Sequence, residues 1–167
     1  KDKNFTQSKC LDKFITYCEK KNLKFNHVLD IGAWVGTWTA KISPFCKRVI
    51  AFEPDPIHYE CLVKNCSDEV ETHQLAVGNE GKLISLSEDN FTQAKRVVGD
   101  GTIPMVTVDS LNLDSVDLIK IDVEGYEMEV LKGAVETLKN VEYLMIELNN
   151  NSKKYGSSNL EIEKYLK

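Results

Sequence analysis

The sequence lacks a long hydrophobic run, an excess of basic residues and a cysteine framework. No apolar stretch approaches the roughly 20 residues of a membrane-spanning helix, and no signal-peptide pattern opens the chain. The formal net charge is −5, so there is no basic footprint and we expect no nucleic-acid partner. Five cysteines without a Cys-x-x-Cys pair favour neither disulfides nor a zinc site. We therefore expect a cytoplasmic protein without a transmembrane segment.

What is present predicts one α/β domain that spans residues 1–167. The composition, 42% hydrophobic and 28% charged, is ordinary for a globular protein of this length. Leu11, Phe14, Ile15 and Cys18 recur at helical spacing, which predicts an amphipathic helix over residues 7–21. This helix precedes a core that we place at residues 28–147.

Within that core, short apolar segments alternate with helical patterns, which predicts a doubly wound, mostly parallel sheet. The predicted strands are Val28–Ile31, Val49–Phe52, Thr72–Val77, Val116–Asp122 and Tyr143–Glu147. The predicted helices are Thr37–Ile42, Ile57–Asn65, Met128–Leu138 and Leu160–Lys167. Lys82–Ser87 and Ile103–Val108 alternate in polarity, which indicates an inserted antiparallel hairpin or edge elements.

The segment Val28–Gly36 (VLDIGAWVG) reads as a buried strand, a glycine turn and the start of a helix. Gly32 allows a tight turn that brings backbone N–H groups close to a ligand. Glu53 ends the next predicted strand, where its carboxylate can accept hydrogen bonds from ribose hydroxyls. A dinucleotide fingerprint would carry a second glycine where Trp34 stands, so NAD is disfavoured. The pattern predicts a cofactor that contains a nucleoside.

The glycine turn, with Asp30 two residues before Gly32, resembles the first motif of class I S-adenosylmethionine (SAM) methyltransferases. Further segments, in the same order along the chain, resemble the FkbM family of methyltransferases, and Leu118–Glu127 (LIKIDVEGYE) is the most specific of them. The matching segments are Val28–Ala33, Ala51–Pro56, Leu75–Gly78, Val106–Leu111, Leu118–Glu127 and Met145–Glu147. The resemblance covers most of the chain.

This resemblance implies the Rossmann-like class I fold, SAM as cofactor, and O-methylation of a hydroxyl on a sugar, glycan or natural-product acceptor. The class I fold normally ends in an antiparallel strand pair, which we expect beyond Lys167. Asp30 and the turn would hold the amino-acid end of SAM, Glu53 the ribose, and Ala76 and Val77 the adenine. The residues assigned to the cofactor are Asp30, Gly32, Ala33, Trp34, Gly36, Glu53, Pro54, Asp55, Ala76, Val77 and Asp122.

Trp34 is a departure from the family, which usually has Asn at this place. Asn tolerates left-handed backbone conformations that Trp resists, so we expect either a different turn geometry or a different cofactor contact. A further interpretation is that Trp34 covers the methionine end of SAM or lines the acceptor cleft.

Lys120, Asp122 and Glu124 are the candidate catalytic residues. Lys120 and Asp122 share one face of a predicted central strand, where a lysine needs a partner. In one interpretation Asp122 orients or deprotonates the acceptor hydroxyl and Lys120 stabilises the developing alkoxide. In the other, Lys120 forms a structural ion pair with Asp122 or Glu147.

Four further expectations concern Asp109, a metal, His58 and the alternative functions. Asp109 is interpreted as a helix N-cap. Two carboxylates from separate strands, Asp122 and Glu147, are not enough to predict a cation site, so no metal is predicted. His58 is expected to have a surface or core role, although it lies near the predicted ribose site. The alternative functions are N-methylation of an amine or nucleic acid, and a SAM-fold binding module without catalysis.

Overall fold

The chain folds into a central parallel sheet with helices on both faces. The computed structural model describes residues 7–87 and 95–167. Its helices are α1 (Gln7–Lys21), α2 (Thr37–Ile42), α3 (Pro56–Asn65), α4 (Glu127–Lys132) and α5 (Asn159–Tyr165). Its strands are β1 (Phe25–Ile31), β2 (Cys46–Phe52), β3 (Glu71–His73), β4 (Ala76–Val77), β5 (Lys82–Ile84), β6 (Ile103–Val106), β7 (Leu118–Ile121) and β8 (Tyr143–Ile146).

The main sheet has the strand order β3-β2-β1-β7-β8, and every neighbouring pair is parallel. Successive residues of β1 point to opposite faces, so Val28 packs towards α1, α2 and α3, while Leu29 and Ile31 pack towards α4 and α5. Both faces are covered, which explains why the central strands are apolar at almost every position. The carboxyl ends of β1, β2 and β7 therefore meet at one edge of the sheet.

A second, smaller sheet has the order β4-β6-β5, with β5 antiparallel to β6. This pair confirms the antiparallel arrangement predicted for the inserted segment, whose residues 88–94 lie outside the described residues. A single third strand over Thr72–Val77 is wrong. The segment divides at Gln74 and Leu75, because β3 extends the main sheet through β2 while β4 pairs with β6.

The predicted helices α1 and α2 are confirmed to the residue, and the predicted strands at 28–31 and 49–52 lie inside longer ones. The helix predicted over Met128–Leu138 is too long. It ends at Gly133, where a Cβ atom would lie 1.9 Å from the carbonyl oxygen of Gly78, and a 3-10 turn follows at Thr137–Lys139. Among the described residues, no strand follows β8 and no helix is long and apolar enough to cross a bilayer.

Asp109 caps a different element from the one expected. Its carboxylate accepts hydrogen bonds from the backbone N–H groups of Glu136 (3.0 Å) and Thr137 (2.9 Å) and from the Thr137 hydroxyl (2.7 Å). The short turn Asp109–Leu111 is itself capped by Thr107, whose hydroxyl accepts the Ser110 N–H at 3.1 Å. Partial burial alone would raise the pKa of Asp109, but the hydrogen bonds from Glu136 and Thr137 outweigh burial and lower the pKa. The residue ties the loop after β6 to the turn that precedes β8.

Replacing Asp109 with Ala should lower the free energy of unfolding by about 2 kcal/mol, because three donors lose their acceptor. The lowered pKa means that this contribution is present above the unfolded-state pKa of 3.8 and is lost as the pH falls further. Urea unfolding at pH 7 measures the effect, and Asp114→Ala at an exposed position is the control. Equal stability of the two variants would contradict a stabilising role for the hydrogen bonds that Asp109 accepts from Glu136 and Thr137.

Candidate functional site

A cleft opens where the carboxyl ends of β1, β2 and β7 meet the small sheet. Eight of the predicted site residues line it: Gly32, Trp34, Glu53, Pro54, Ala76, Val77, Asp122 and Glu124. Five others lie outside its described lining: Asp30, Ala33, Gly36, Asp55 and Lys120. The cleft therefore brings the glycine turn, the carboxylate end of β2 and the Leu118–Glu127 segment to one place.

The glycine turn after β1 is held by the end of β2. The N–H groups of Gly32 and Ala33 both donate to the Phe52 carbonyl at 3.0 Å, and the Trp34 N–H donates to Glu53 Oε2 at 2.8 Å. Gly32 has φ of 79°, and a Cβ atom there would lie 1.9 Å from the backbone oxygen of Asp122. Only glycine permits this approach of the turn to the β7 end.

Trp34 adopts the left-handed conformation with φ of 52°. The backbone geometry that Asn would favour is therefore kept, at a cost of roughly 1–2 kcal/mol for a residue with a large side chain. The indole lies in the cleft lining with its ring centroid 6.2 Å from that of His58. Trp34 therefore forms part of the cleft wall while its backbone keeps the left-handed turn.

Glu53, at the end of β2, accepts hydrogen bonds from the turn after β1 and from the turn that follows β2. Besides the Trp34 N–H, its carboxylate accepts the N–H of Asp55 through Oε1 at 2.9 Å. Burial raises the pKa of Glu53 to about 7, and the two backbone hydrogen bonds offset only part of that shift. The side chain is nearly buried but still lines the cleft, so a ligand hydroxyl can reach it.

Replacing Glu53 with Gln should flatten the pH dependence of stability. The pKa of Glu53 rises from 4.5 to about 7 on folding, so the folded protein binds an extra proton between these pH values. Its stabilising contribution is complete below pH 4.5 and is lost as the pH rises through 7, by roughly 3 kcal/mol. Urea unfolding from pH 4.5 to 8 should show wild type losing this much relative to the variant. The exposed Glu60→Gln is the control, and parallel profiles for wild type and Glu53→Gln would contradict the assignment.

Asp55 is a helix cap rather than a cleft-lining residue. It accepts the N–H groups of Ile57 (3.0 Å) and His58 (2.9 Å) at the start of α3, and it forms an ion pair with Lys95. Burial alone would raise the pKa of Asp55. The hydrogen bonds from Lys95 and from the His58 N–H outweigh burial and lower the pKa. Lys95 thereby fastens the segment after residue 94 against α3. The predicted cofactor contact of Asp55 stays a prediction.

Several cleft residues escaped sequence reasoning, among them His58, Lys95 and Tyr126. His58 offered a weak signal, since it follows Asp55 by three residues at a predicted helix start beside the ribose site. Lys95 offered none, because it lies in a polar stretch whose fold depends on contacts with distant residues. Tyr126 belongs to the matching segment Leu118–Glu127, but its orientation could not be predicted from spacing.

Three carboxylates cluster beyond the glycine turn, from Asp122, Glu124 and Glu147, and one oxygen of each lies within 4.8 Å of the other two. Burial and a hydrogen bond with Asp122 raise the pKa of Glu147 well above its ordinary value. Burial and the charge of Asp122 likewise raise the pKa of Glu124. Such a cluster can take up a proton, and its oxygens could also ligate a cation. The absence of a metal stays a prediction.

Glu124 is held towards this cluster by a strained loop. It has φ of 54°, and the following Gly125 has φ of 110°. The Asn151 side-chain amide donates to Glu124 Oε2 at 3.0 Å. A Cβ atom on Gly125 would lie 2.6 Å from the Asn151 backbone, so the two segments are in close contact. Backbone strain of this kind is frequent where a side chain must be aimed at a ligand.

Lys120 lies behind the turn and is almost completely buried. Its Nζ donates to Asp30 Oδ1 at 2.9 Å and to the Gly32 carbonyl at 3.0 Å, and lies 3.6 Å from Asp122 Oδ2. Burial alone would lower the pKa of Lys120, but the carboxylates of Asp30 and Asp122 outweigh it and raise the pKa. Its main partner is thus Asp30, which neither sequence interpretation had named.

Two solved structures that share this fold are methyltransferases. The FkbM methyltransferase from Methylobacillus flagellatus superposes with a TM-score of 0.61 at 22% identity, over 86% of this chain and 36% of that one. The N-methyltransferase NodS from Bradyrhizobium japonicum gives a TM-score of 0.58 at 13% identity, over 99% of this chain and 83% of that one. At these identities the likeness shows the fold, which confirms the predicted class.

Sequence comparison identifies the family. A curated relative, the hexuronic acid methyltransferase AglP of Haloferax volcanii, is 28% identical over 133 residues, which cover 71% of this chain. The chain spans 54% of the length of that relative. The family described as "Methyltransferase FkbM domain" matches residues 30–167. The glycine turn, the Glu53 end of β2 and the Leu118–Glu127 segment all lie in the matched region, and the chain belongs to the FkbM methyltransferase family.

Proposed function

We propose that this chain is the catalytic domain of a SAM-dependent methyltransferase that methylates a hydroxyl group on a sugar or glycan acceptor. The observation that supports it best is the position of the Asp122, Glu124 and Glu147 carboxylates next to a cleft suited to a nucleoside. A hydroxyl must lose its proton when it is methylated, and a carboxylate beside the acceptor can receive that proton.

The chemistry of the cleft lining supports SAM as the cofactor. The tight turn at Gly32 lines the cleft, Glu53 offers a carboxylate to ribose hydroxyls, and Ala76 and Val77 offer a small apolar wall to a purine. Trp34 closes the wall beside His58. Bound there, SAM supplies a methyl group already activated by its sulfonium, so the chain itself needs to align the acceptor and assist proton loss.

Asp122 and Glu124 are the residues that we assign to the acceptor. Both line the cleft at the end of β7, and Glu124 is steadied by Asn151. Asp122 would receive the hydroxyl proton, and Glu124 would orient the acceptor through a hydrogen bond. The printed name of AglP, a hexuronic acid methyltransferase, supports a sugar as the acceptor class.

The two alternative functions, N-methylation and cofactor binding without catalysis, stay predictions with less support. An amine or nucleic-acid acceptor is supported only by the fold that the chain shares with NodS, and at 13% identity a shared fold does not indicate a shared substrate. A binding module without catalysis would leave the acidic cluster beside the cleft unexplained. The expected cytoplasmic location and the absence of a nucleic-acid partner likewise stay predictions.

Two measurements test the proposal. Calorimetry with S-adenosylhomocysteine (SAH) should show binding at one site. Transfer of a labelled methyl group from SAM should then be screened over neutral hexoses, hexuronic acids and their oligosaccharides, with polyamines and RNA as competing classes. Label on a sugar oxygen is the expected result. Label on an amine or on RNA would refute the acceptor class, and no binding of SAH would refute the enzyme.

A further inference from the structure

Lys120 occupies a position where a cation is expensive to bury. Only 5% of the residue is exposed, and it points into the apolar cluster between the sheet and α2, with Nζ 5.8 Å from the Trp38 ring. Asp30 lies opposite it in the pairing of β1 with β7. Asp30 is completely buried, so the two strands carry one buried opposite-charge pair at the end that faces the cleft.

The ammonium group has three protons, and three acceptors surround it. Asp30 Oδ1 and the Gly32 carbonyl accept hydrogen bonds at 2.9 and 3.0 Å, and Asp122 Oδ2 lies 3.6 Å away. The second oxygen of Asp30 accepts the Thr39 hydroxyl at 2.6 Å. Lys120 could stabilise an alkoxide only by leaving a buried carboxylate behind, which is strongly unfavourable.

Two of these acceptors belong directly to the cleft. The Gly32 carbonyl is part of the turn whose N–H groups are held by Phe52 and Glu53 from the opposite side. Asp122 ends β7 and lines the cleft. One buried ammonium group therefore links the backbone of the glycine turn to the carboxylate beside the predicted acceptor site.

We propose that Lys120 is a positioning residue, which fixes the glycine turn and Asp122 relative to each other and so preorganises the cleft for the cofactor. It acts through Gly32 and Asp122 and does not contact the acceptor. The inference rests on the proposed function in one respect, that the cleft is the cofactor site.

A set of variants separates an effect of Lys120 on cofactor affinity from an effect on folding stability. Lys120→Met removes the link but leaves Asp30 as an uncompensated buried charge. The double variant Asp30→Asn with Lys120→Met removes both charges, which restores electrostatic balance without restoring the link. Asp30→Asn alone completes the cycle. Thr39→Val removes the other hydrogen bond to Asp30 and serves as a destabilised control with the link intact.

SAH affinity by calorimetry and stability by urea unfolding are measured on all of them. We expect Lys120→Met to weaken SAH binding by about 20-fold and to lose stability. The double variant should recover most of the lost stability but stay at least about tenfold weaker in SAH binding. Thr39→Val should lose stability and keep its affinity within about threefold.

Recovery of SAH affinity together with stability in the double variant would overturn the inference, because Lys120 would then matter only for folding. Wild-type SAH affinity in Lys120→Met, combined with lost methyl transfer, would also overturn it in favour of contact with the acceptor. If Lys120→Met does not fold, comparison of the double variant with Asp30→Asn decides, because both lack the Asp30 carboxylate and only the double variant lacks the ammonium group: equal SAH affinity of the two would overturn the inference. No SAH binding by wild type would refute the proposed function itself.

Discussion

Replacing Gly32 with Ala should abolish tight cofactor binding and lower the free energy of unfolding by about 4 kcal/mol. The added Cβ atom would lie 1.9 Å from the Asp122 backbone oxygen and 2.8 Å from its carbonyl carbon. Both neighbours are backbone atoms, so relief requires that β1 and β7 move apart at their carboxyl ends. That movement would break the approach on which the cleft depends, and we expect SAH affinity to fall by at least about 100-fold.

Gly156→Ala is a matched control for this substitution. Gly156 has φ of 76°, close to the 79° of Gly32, but a Cβ atom there would meet nothing within 4 Å. The control therefore carries the left-handed strain alone, about 1 kcal/mol, without a clash. Urea unfolding and calorimetry with SAH compare the two variants. If Gly32→Ala behaved like Gly156→Ala in both measurements, close packing of the turn against Asp122 would not matter.

Local periodicity was enough to predict most of the fold. The bounds of α1 and α2 follow from apolar spacing and flanking residues. The buried strands β1, β2 and β7 follow from apolar runs that carry Asp30, Glu53 and Asp122 at or near their carboxyl ends. The ends of parallel strands meet at one edge, so the placement of the cleft also follows from the pattern. Eight of the residues predicted for the site line it, while their contact with a cofactor stays a prediction.

What the sequence could not provide are pairings between distant segments. The division between β3 and β4 depends on β6, which lies far along the chain. Asp109 was recognised as a cap, but its partners Glu136 and Thr137 are brought to it by the fold. Lys120 was known to need a partner, yet Asp30 rather than Asp122 or Glu147 became its closest one because β1 neighbours β7 in that register. Each of these depends on which elements pack together.

The second large effect is expected for Asp122→Asn. Asp122 lies between the Lys120 ammonium group and Glu147, with which it shares a hydrogen bond, and it lines the cleft. An amide has nearly the same shape but cannot receive a proton, so the variant tests proton transfer with little change in packing. With the acceptor found by the transfer screen, we expect turnover to fall by about 100-fold or more. SAH affinity should stay within about threefold, since the amide keeps the size of the side chain and still offers an acceptor oxygen to Lys120.

Glu147 gives this prediction a readout that needs no acceptor. Burial, then the hydrogen bond with Asp122 and its charge, raise the pKa of Glu147 in the wild type. Asp122→Asn removes that charge, so the pKa of Glu147 should fall towards its ordinary value, and NMR titration of its carboxyl carbon measures the shift. Since a raised pKa means stability lost as the pH rises through it, the variant should also lose less stability on going from pH 5 to pH 9.

The exposed Asp114→Asn is the control for removal of one negative charge, and it should leave turnover, SAH affinity and the pKa of Glu147 unchanged. Full turnover in Asp122→Asn with a lowered pKa of Glu147 would show that the two carboxyls are coupled but that Asp122 does not receive the proton. Unchanged turnover and an unchanged pKa would show that neither contact matters. Lost turnover with intact SAH binding would place the chemical step at the end of β7, because the substitution acts on Asp122 and on the Glu147 carboxyl coupled to it.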